Sequence, residues 1–220
     1  LVLLWHDPAR LGKMVATLDH LSGGRVSLGV GVATTRDEYE NLGVNFTTRG
    51  KRMDEILGAL QALWTEETPE FYGEFYRYGG LKFSPKPLQT PYPPLLIGGS
   101  SAAAHLRVAR FGDGWHTLRQ SPKQVAEARA KIIKLTEAIG RDPSTLDFSL
   151  TVPLRFTGKA PSKPVKNRTA LTGTEYDITE TIRAYQSAGL NEIIISDSSA
   201  ELDSNTEVMS RFMQQVWPKL

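Results

Sequence analysis

Short apolar runs alternate with stretches of helical, about 3.6-residue apolar spacing along most of the chain. Leu1–Trp5 (LVLLW) predicts a buried strand. Leu11, Met14, Val15 and Leu18 then mark one face of a helix that starts at Asp7-Pro8, a capping residue followed by a favourable first-turn residue, and stops at Ser22-Gly23-Gly24. Val26–Val30 predicts the next strand, and Met53, Ile56, Leu57, Leu60, Leu63 and Trp64 form the broad stripe of a core-facing helix. Strands are expected at Leu95–Ile97 and Trp115–Leu118, with helix Ala102–Phe111 between them. A longer helix carries Val125, Ala128, Ile132, Leu135 and Ile139, begins at Ser121-Pro122 and ends at Gly140. Leu146–Phe156 predicts a strand, Ile178–Ala188 a helix ended by Gly189, and Glu192–Ile195 a strand. Val208, Met209, Phe212 and Val216 mark a last amphipathic helix.

Alternating short apolar strands and helices predict an α/β fold of parallel strands covered by helices. Six strands are counted. Eight would close a (β/α)8 barrel of about 250 residues, and a chain that opens on a buried strand reads as an incomplete TIM-barrel type lacking its first one or two β/α units. An open doubly wound sheet is the competing architecture. Two segments break the alternation. Residues 65–94, with FYGEFYRYGG and then KFSPKPLQTPYPP, predict a hairpin turning near Gly73 and an extended excursion. Residues 158–173, GKAPSKPVKNRTALTG, lack periodicity and predict a lid loop, whose Lys159, Lys163, Lys166 and Arg168 either meet an anionic ligand or are simply solvated. The whole chain, 1–220, is read as a single, N-terminally truncated barrel domain.

Composition narrows the partners. Among 220 residues, 40% are hydrophobic and 23% charged, ordinary for a globular domain, and 26 Lys and Arg nearly balance 24 Asp and Glu. No dense basic run interleaves with aromatics, which disfavours nucleic acid. Cysteine is absent, which removes thiolate chemistry and fits a reducing, cytoplasmic setting. No apolar run nears the roughly 20 residues that span a bilayer, and LVLLWHDPARLGK lacks the features of a signal peptide.

The candidate chemistry lies where strands end. In IGGSS, Gly98 and Gly99 let backbone N–H groups approach an anion, Ser100 and Ser101 offer hydroxyls, and a helix N-terminus follows. That is the pattern of a phosphate cradle, or of a turn merely capped by Ser. Gly29-Val30-Gly31-Val32-Ala33 has Thr34 where a dinucleotide fingerprint needs a third Gly; small residues there suit a flat ring. In a parallel barrel Gly29, Gly31, Val32, Ala33 and Thr34, Gly98 to Ser101, and His116, Thr117 and Arg119 fall at carboxyl ends of strands, where ligands bind. His116 is the candidate catalytic or cofactor-contacting group. His20 and His105 read as packing or surface residues, His6 follows the first strand, and no His pair has metal spacing. Asp19, Arg25, Arg49 and Arg52, at helix ends, predict structural salt bridges, and Asp113 in FGDGW a turn cap.

Five segments together resemble the luciferase-like monooxygenase family: ATLDHLSGGRVSLGVGVA (Ala16–Ala33), YENLGVNFTTRGKRMDEILGALQALWTEE (Tyr39–Glu67), GEFYRYGGLKFSPKPLQTPYPPLLIGGSS (Gly73–Ser101), ARFGDGWHTL (Ala109–Leu118), and LTGT with AGLNEIIIS (Leu171–Thr174, Ala188–Ser196). The resemblance implies a (β/α)8 oxidoreductase performing hydride transfer or monooxygenation on a small molecule with FMN or the deazaflavin coenzyme F420. The GVGVA strand end and the IGGSS turn favour the deazaflavin branch. It further implies that Gly98, Gly99, Ser100 and Ser101 hold the cofactor phosphate and that Gly29 to Thr34 run beside the ring. Some sugar-phosphate dehydrogenases of that branch place a carboxylate where this chain has Thr34, so that chemistry is not expected. The alternative is a non-catalytic, cofactor-binding or truncated barrel that self-associates; a homo-oligomer is expected.

Overall fold

The structure, a computed structural model, describes residues 1–80, 82–196 and 202–220. It divides into two compact units, Leu1–Gly114 and Trp115–Leu220.

In the first unit, helix α1 (Pro8–Ser22) begins as expected: the Asp7 side chain accepts a hydrogen bond from Arg10 N, Pro8 occupies the first turn, and Gly23 closes the helix at φ 67°. Strand β1 (Leu28–Val30) pairs in parallel with β4 (Leu95–Gly98), Val30 opposite Ile97. Between them come helices α2 (Arg36–Asn41) and α3 (Arg49–Thr65) and the hairpin β2 (Phe71–Tyr72) and β3 (Arg77–Tyr78). Helix α4 (Ala102–Phe111) follows β4. All six stripe residues of α3 are at most 2% exposed, each such burial contributing about 1.5–3 kcal/mol. Gly12 lets α1 approach α3: Trp64 Nε1 donates to Gly12 O at 3.1 Å, and a Cβ on Gly12 would stand 3.3 Å from the Phe83 ring.

The opening LVLLW is not a strand. Leu1 N donates to Gly29 O, Val2 makes one parallel bridge with Gly31, and Leu3–Trp5 then winds into a 3-10 turn. Strand β1 ends at Val30, so the ladder beside it stops after one bridge, and the turn buries Leu3 and Leu4 instead. The salt bridges expected at Asp19, Arg25, Arg49 and Arg52 are other contacts. Asp19, fully buried, accepts from Gln89 N and Nε2. Arg25 donates to Ser22 O; Arg49 stacks 3.7 Å from the Phe46 ring centroid and Arg52 4.1 Å from that of Phe75.

The hairpin turns where its glycine predicts. Glu55, on α3, accepts three backbone N–H bonds in that turn, from Glu74, Phe75 and Tyr76, at 2.8, 2.9 and 3.1 Å. A Cβ on Gly73 would fall 2.2 Å from Glu55 Oε2.

The second unit is built on the ten-residue strand β6 (Asp147–Phe156). Strand β5 (Gly114–Leu118), whose first residue closes the first unit, lies beside it, and β8 (Glu192–Ser196) pairs in parallel with its first half. Its second half pairs with β7 (Leu171–Gly173), inside the segment expected to be wholly loop. The length of β6 explains the difference: residues 154–156 run on past β8 and leave backbone groups for Leu171–Gly173 to meet. Among the described residues, the strands of the main sheet therefore include β7 and not LVLLW. Helix α5 (Pro122–Ala138) starts on a capping box of Ser121 and Gln124. Helix α6 (Glu175–Ser187) starts three residues earlier than its apolar spacing predicts, on a second box of Thr174 and Asp177. Helix α7 (Leu202–Gln215) closes the order. Trp115 and Phe148, both buried, meet edge-on at 6.4 Å.

Candidate functional site

The two strand ends of the first unit are brought together by the β1–β4 pairing. Gly98 lies so close to β1 that a Cβ there would be 3.1 Å from Val30 O and 3.9 Å from Gly31 Cα. Gly99 has φ 115°, a conformation that disfavours any residue with a Cβ. The two glycines are thus required by the turn itself as well as suiting a ligand. On the other side the picture is open: a Cβ built on Gly29 or Gly31 meets nothing within 4 Å. Such a bare strand end accommodates a flat ring.

Ser101 caps α4, its Oγ accepting from Ala104 N at 3.2 Å. In that role the hydroxyl keeps its own proton to donate outward, beside the first-turn N–H groups of Ala102 and Ala103. Ser100 and Ser101 are both exposed. At the base of the same element, Asp113 performs the predicted turn function: its Oδ2 accepts from Leu95 N at 2.9 Å, and its N–H donates to Leu95 O at 2.8 Å. FGDGW is therefore clasped to the first residue of β4.

Val32 is half-buried, Ala33 buried and Thr34 exposed. Apolar spacing does not reveal α2, which seats Tyr39, 1% exposed, with its hydroxyl 3.4 Å from Ala33 O. Burial pushes that phenol pKa up, opposed by the Arg49 charge. The signal was available in Thr35 followed by Asp37 and Glu38, a helix start enriched in acidic residues.

In the second unit His116 stands between two hydroxyls of β6, Nδ1 2.8 Å from Ser149 Oγ and Nε2 3.1 Å from Thr151 Oγ1. Burial lowers its pKa, and the carboxylate of Glu192 pulls the other way. Thr117, one residue on, alternates to the opposite face with Trp115 and is buried; it is not brought together with His116. Arg119 ends the strand in the left-handed region at φ 52°, its N–H donating to Thr151 O at 3.1 Å. His20 Nε2 lies 2.9 Å from Lys86 O, and His105 is buried within α4.

Arg168 is not offered to a ligand. Its guanidinium donates to Asp177 O at 3.0 Å, to Thr181 Oγ1 at 3.1 Å and to Asp177 Oδ1 at 3.3 Å, and both side chains are 10% exposed. The Thr174 hydroxyl and N–H, with the Arg168 charge, hold the Asp177 carboxyl below its usual range against the opposing effect of burial. The segment expected to be a lid is thus fastened to α6 at its far end.

Comparison with known proteins decides the family. The family model described as luciferase-like monooxygenase matches residues 1–157. The chain belongs to the luciferase-like monooxygenase family. Among luciferase-like relatives, an uncharacterised protein of Mycobacterium tuberculosis is 41% identical over 140 residues, 62% of this chain and 48% of that protein. The FMNH2-dependent dimethylsulfone monooxygenase of Pseudomonas putida is 35% identical over 132 residues, 57% of this chain and 36% of its own length. The matched region spans about half or less of the curated relatives. Among solved structures, the monooxygenase RslO1 from Streptomyces bottropensis superposes with a TM-score of 0.84 at 22% identity, covering 99% of this chain and 76% of that one. An F420-dependent secondary alcohol dehydrogenase, bound to an F420-acetone adduct, gives 0.80 at 16% identity, covering 96% and 76%. At such identities the likeness shows the fold, the parallel α/β arrangement of luciferase-like barrels. Among the described residues, no helix is long and apolar enough to cross a membrane.

Proposed function

We propose that this luciferase-like chain binds FMN or F420 and serves an oxidoreductase acting on a small molecule. The observation that carries the reading is the paired strand end: the Gly98-Gly99 turn against Val30 and Gly31, the Ser101-capped start of α4, and the open surface over Gly29 and Gly31. Bound there, FMN or F420 supplies hydride transfer, and reduced FMN in addition supplies oxygen activation. The chain's own part is narrower. Gly98, Gly99, Ser100 and Ser101 hold the phosphate with backbone N–H groups and hydroxyls, and Gly29, Gly31, Val32, Ala33 and Thr34 floor the ring; His116 and Thr117 belong to a strand of the second unit and are given no part in this cradle. The P. putida relative favours FMN and the secondary alcohol dehydrogenase favours F420, so both are titrated.

Binding of each cofactor is measured by fluorescence quenching on the purified chain and on two variants. Ser101→Ala removes one hydroxyl donor and is expected to weaken binding about tenfold, the equivalent of about 1.4 kcal/mol. Ser101→Asp still caps the helix but repels a phosphate, and is expected to bind more weakly than Ser101→Ala while remaining more stable. Failure of the parent chain to bind either cofactor overturns the proposal, as does equal affinity across the three proteins.

A second reading, self-association, is favoured by Met14, Leu18 and Leu21 on α1, which are 57%, 53% and 80% exposed. Elution as a monomer at micromolar concentration excludes it.

A further inference from the structure

The strands β5, β6 and β8 carry a polar stripe that the phosphate cradle does not use. Parallel register places Glu192 opposite Ser149 and Ile194 opposite Thr151, and His116 of β5 reaches the same two hydroxyls. Ser149 is 2% exposed and donates to Trp115 O across a long 3.5 Å. With the Ser149 proton on Trp115 O, its lone pairs face Nδ1, which then supplies the proton of the 2.8 Å contact. Nε2 is then bare and accepts the Thr151 hydroxyl. A neutral imidazole protonated on Nδ1 satisfies all three groups together.

The stripe has a direction. Thr151 stands two residues nearer the carboxyl end of β6 than Ser149, the end at which parallel α/β proteins bind ligands, and it is half-buried where Ser149 is closed off. Its backbone is also pinned, since Thr151 O accepts from Arg119, a non-glycine residue held at positive φ. Strain of this kind persists only where the surroundings impose it.

We propose that Ser149 and Thr151 are positioning residues that fix His116 as the Nδ1–H tautomer, with Nε2 held as the acceptor of the Thr151 hydroxyl.

The test is a two-bond proton–nitrogen NMR spectrum of the 15N-labelled chain at neutral pH, with His116 assigned by the signal lost in His116→Gln. The expected parent pattern is a protonated Nδ1 and a bare, hydrogen-bonded Nε2. Thr151→Val should shift Nε2 toward an unbonded nitrogen and populate both tautomers, and Thr151→Ser should restore the parent pattern, which a merely space-filling threonine would not require. An Nε2–H tautomer, an imidazolium, or an Nε2 signal indifferent to Thr151→Val overturns the proposal.

Discussion

Arg168→Ala removes the tie between the 158–173 segment and α6. The guanidinium makes two hydrogen bonds to neutral oxygens, Asp177 O and Thr181 Oγ1, and a charged contact to Asp177 Oδ1. Breaking a buried ion pair costs about 3–5 kcal/mol when the remaining charge is stranded. Here Asp177 keeps the Thr174 N–H at 3.1 Å and the Thr174 hydroxyl at 2.7 Å, so it is not stranded. Asp177 O likewise keeps the Thr181 hydroxyl at 2.7 Å, so the expected loss is about 2–3 kcal/mol, that of the hydrogen bonds to a charged group alone. For a chain of this length each kcal/mol moves Tm by roughly 2–4 °C, so a fall of about 4–12 °C is expected. Arg168→Lys keeps the charge but not the fork and should lose about half as much. Urea unfolding followed by circular dichroism gives the midpoints. A loss below about 0.5 kcal/mol for Arg168→Ala would refute the reasoning, and so would Arg168→Lys being as damaging as Arg168→Ala.

Three further outcomes are expected. Asp113→Ala leaves the buried Leu95 N–H without its carboxylate and should cost about 1–3 kcal/mol in urea unfolding, whereas Asp113→Asn, which keeps an acceptor oxygen, should cost clearly less; equal losses would discredit the clasp. Gly99→Ala forces a Cβ onto φ 115° and to 3.1 Å from Ala104 Cβ; about 1–3 kcal/mol is expected, and a Tm equal to the parent's would contradict it. The lowered pKa of Asp177 contributes stability that is present above its unfolded value of 3.8 and is lost as pH falls through the folded value. Unfolding titrations below pH 5 should therefore show a shallower decline in Thr174→Val, which removes the hydroxyl that lowers the pKa most, and parallel curves would count against that assignment.

Periodicity located the helices from apolar stripes that are long, buried throughout on α3 but exposed at Met14 and Leu18 on α1. All six residues marked on α3 are buried, and the turns at Gly23, Gly140 and Gly189 all adopt positive φ. Among the short elements, β1, β4, β5 and β8 were located too, but the LVLLW turn, α2 and β7 escaped it. LVLLW satisfied an apolar test that a 3-10 turn satisfies equally, and Leu171–Gly173 is a strand because β6 extends past β8, a fact held by no residue of the short segment itself. The start of α6 was readable from Thr174 and Asp177, a box that outranks apolar spacing as a boundary signal. At the proposed site, the residue types at Gly98 and Ser101 marked a strand end turning into a capped helix, but the closeness of Gly98 to Val30 depends on a parallel pairing between strands more than sixty residues apart in sequence. The contacts of His116 with Ser149 and Thr151 depend likewise on a neighbouring strand, and hydroxyl residues are too common for spacing to single them out.

The carboxylate of Glu55 reads only main-chain N–H groups in the turn it holds. The side chains of residues 74–76 add the Arg52 contact with the Phe75 ring and an exposed Lys51–Glu74 pair, but the carboxylate's own grip does not depend on them and survives divergence there. Only Gly73 is fixed, by its distance from that same carboxylate. For an experimenter this makes position 74 a practical attachment point for a reporter: it changes the surface of the hairpin and leaves its scaffold alone.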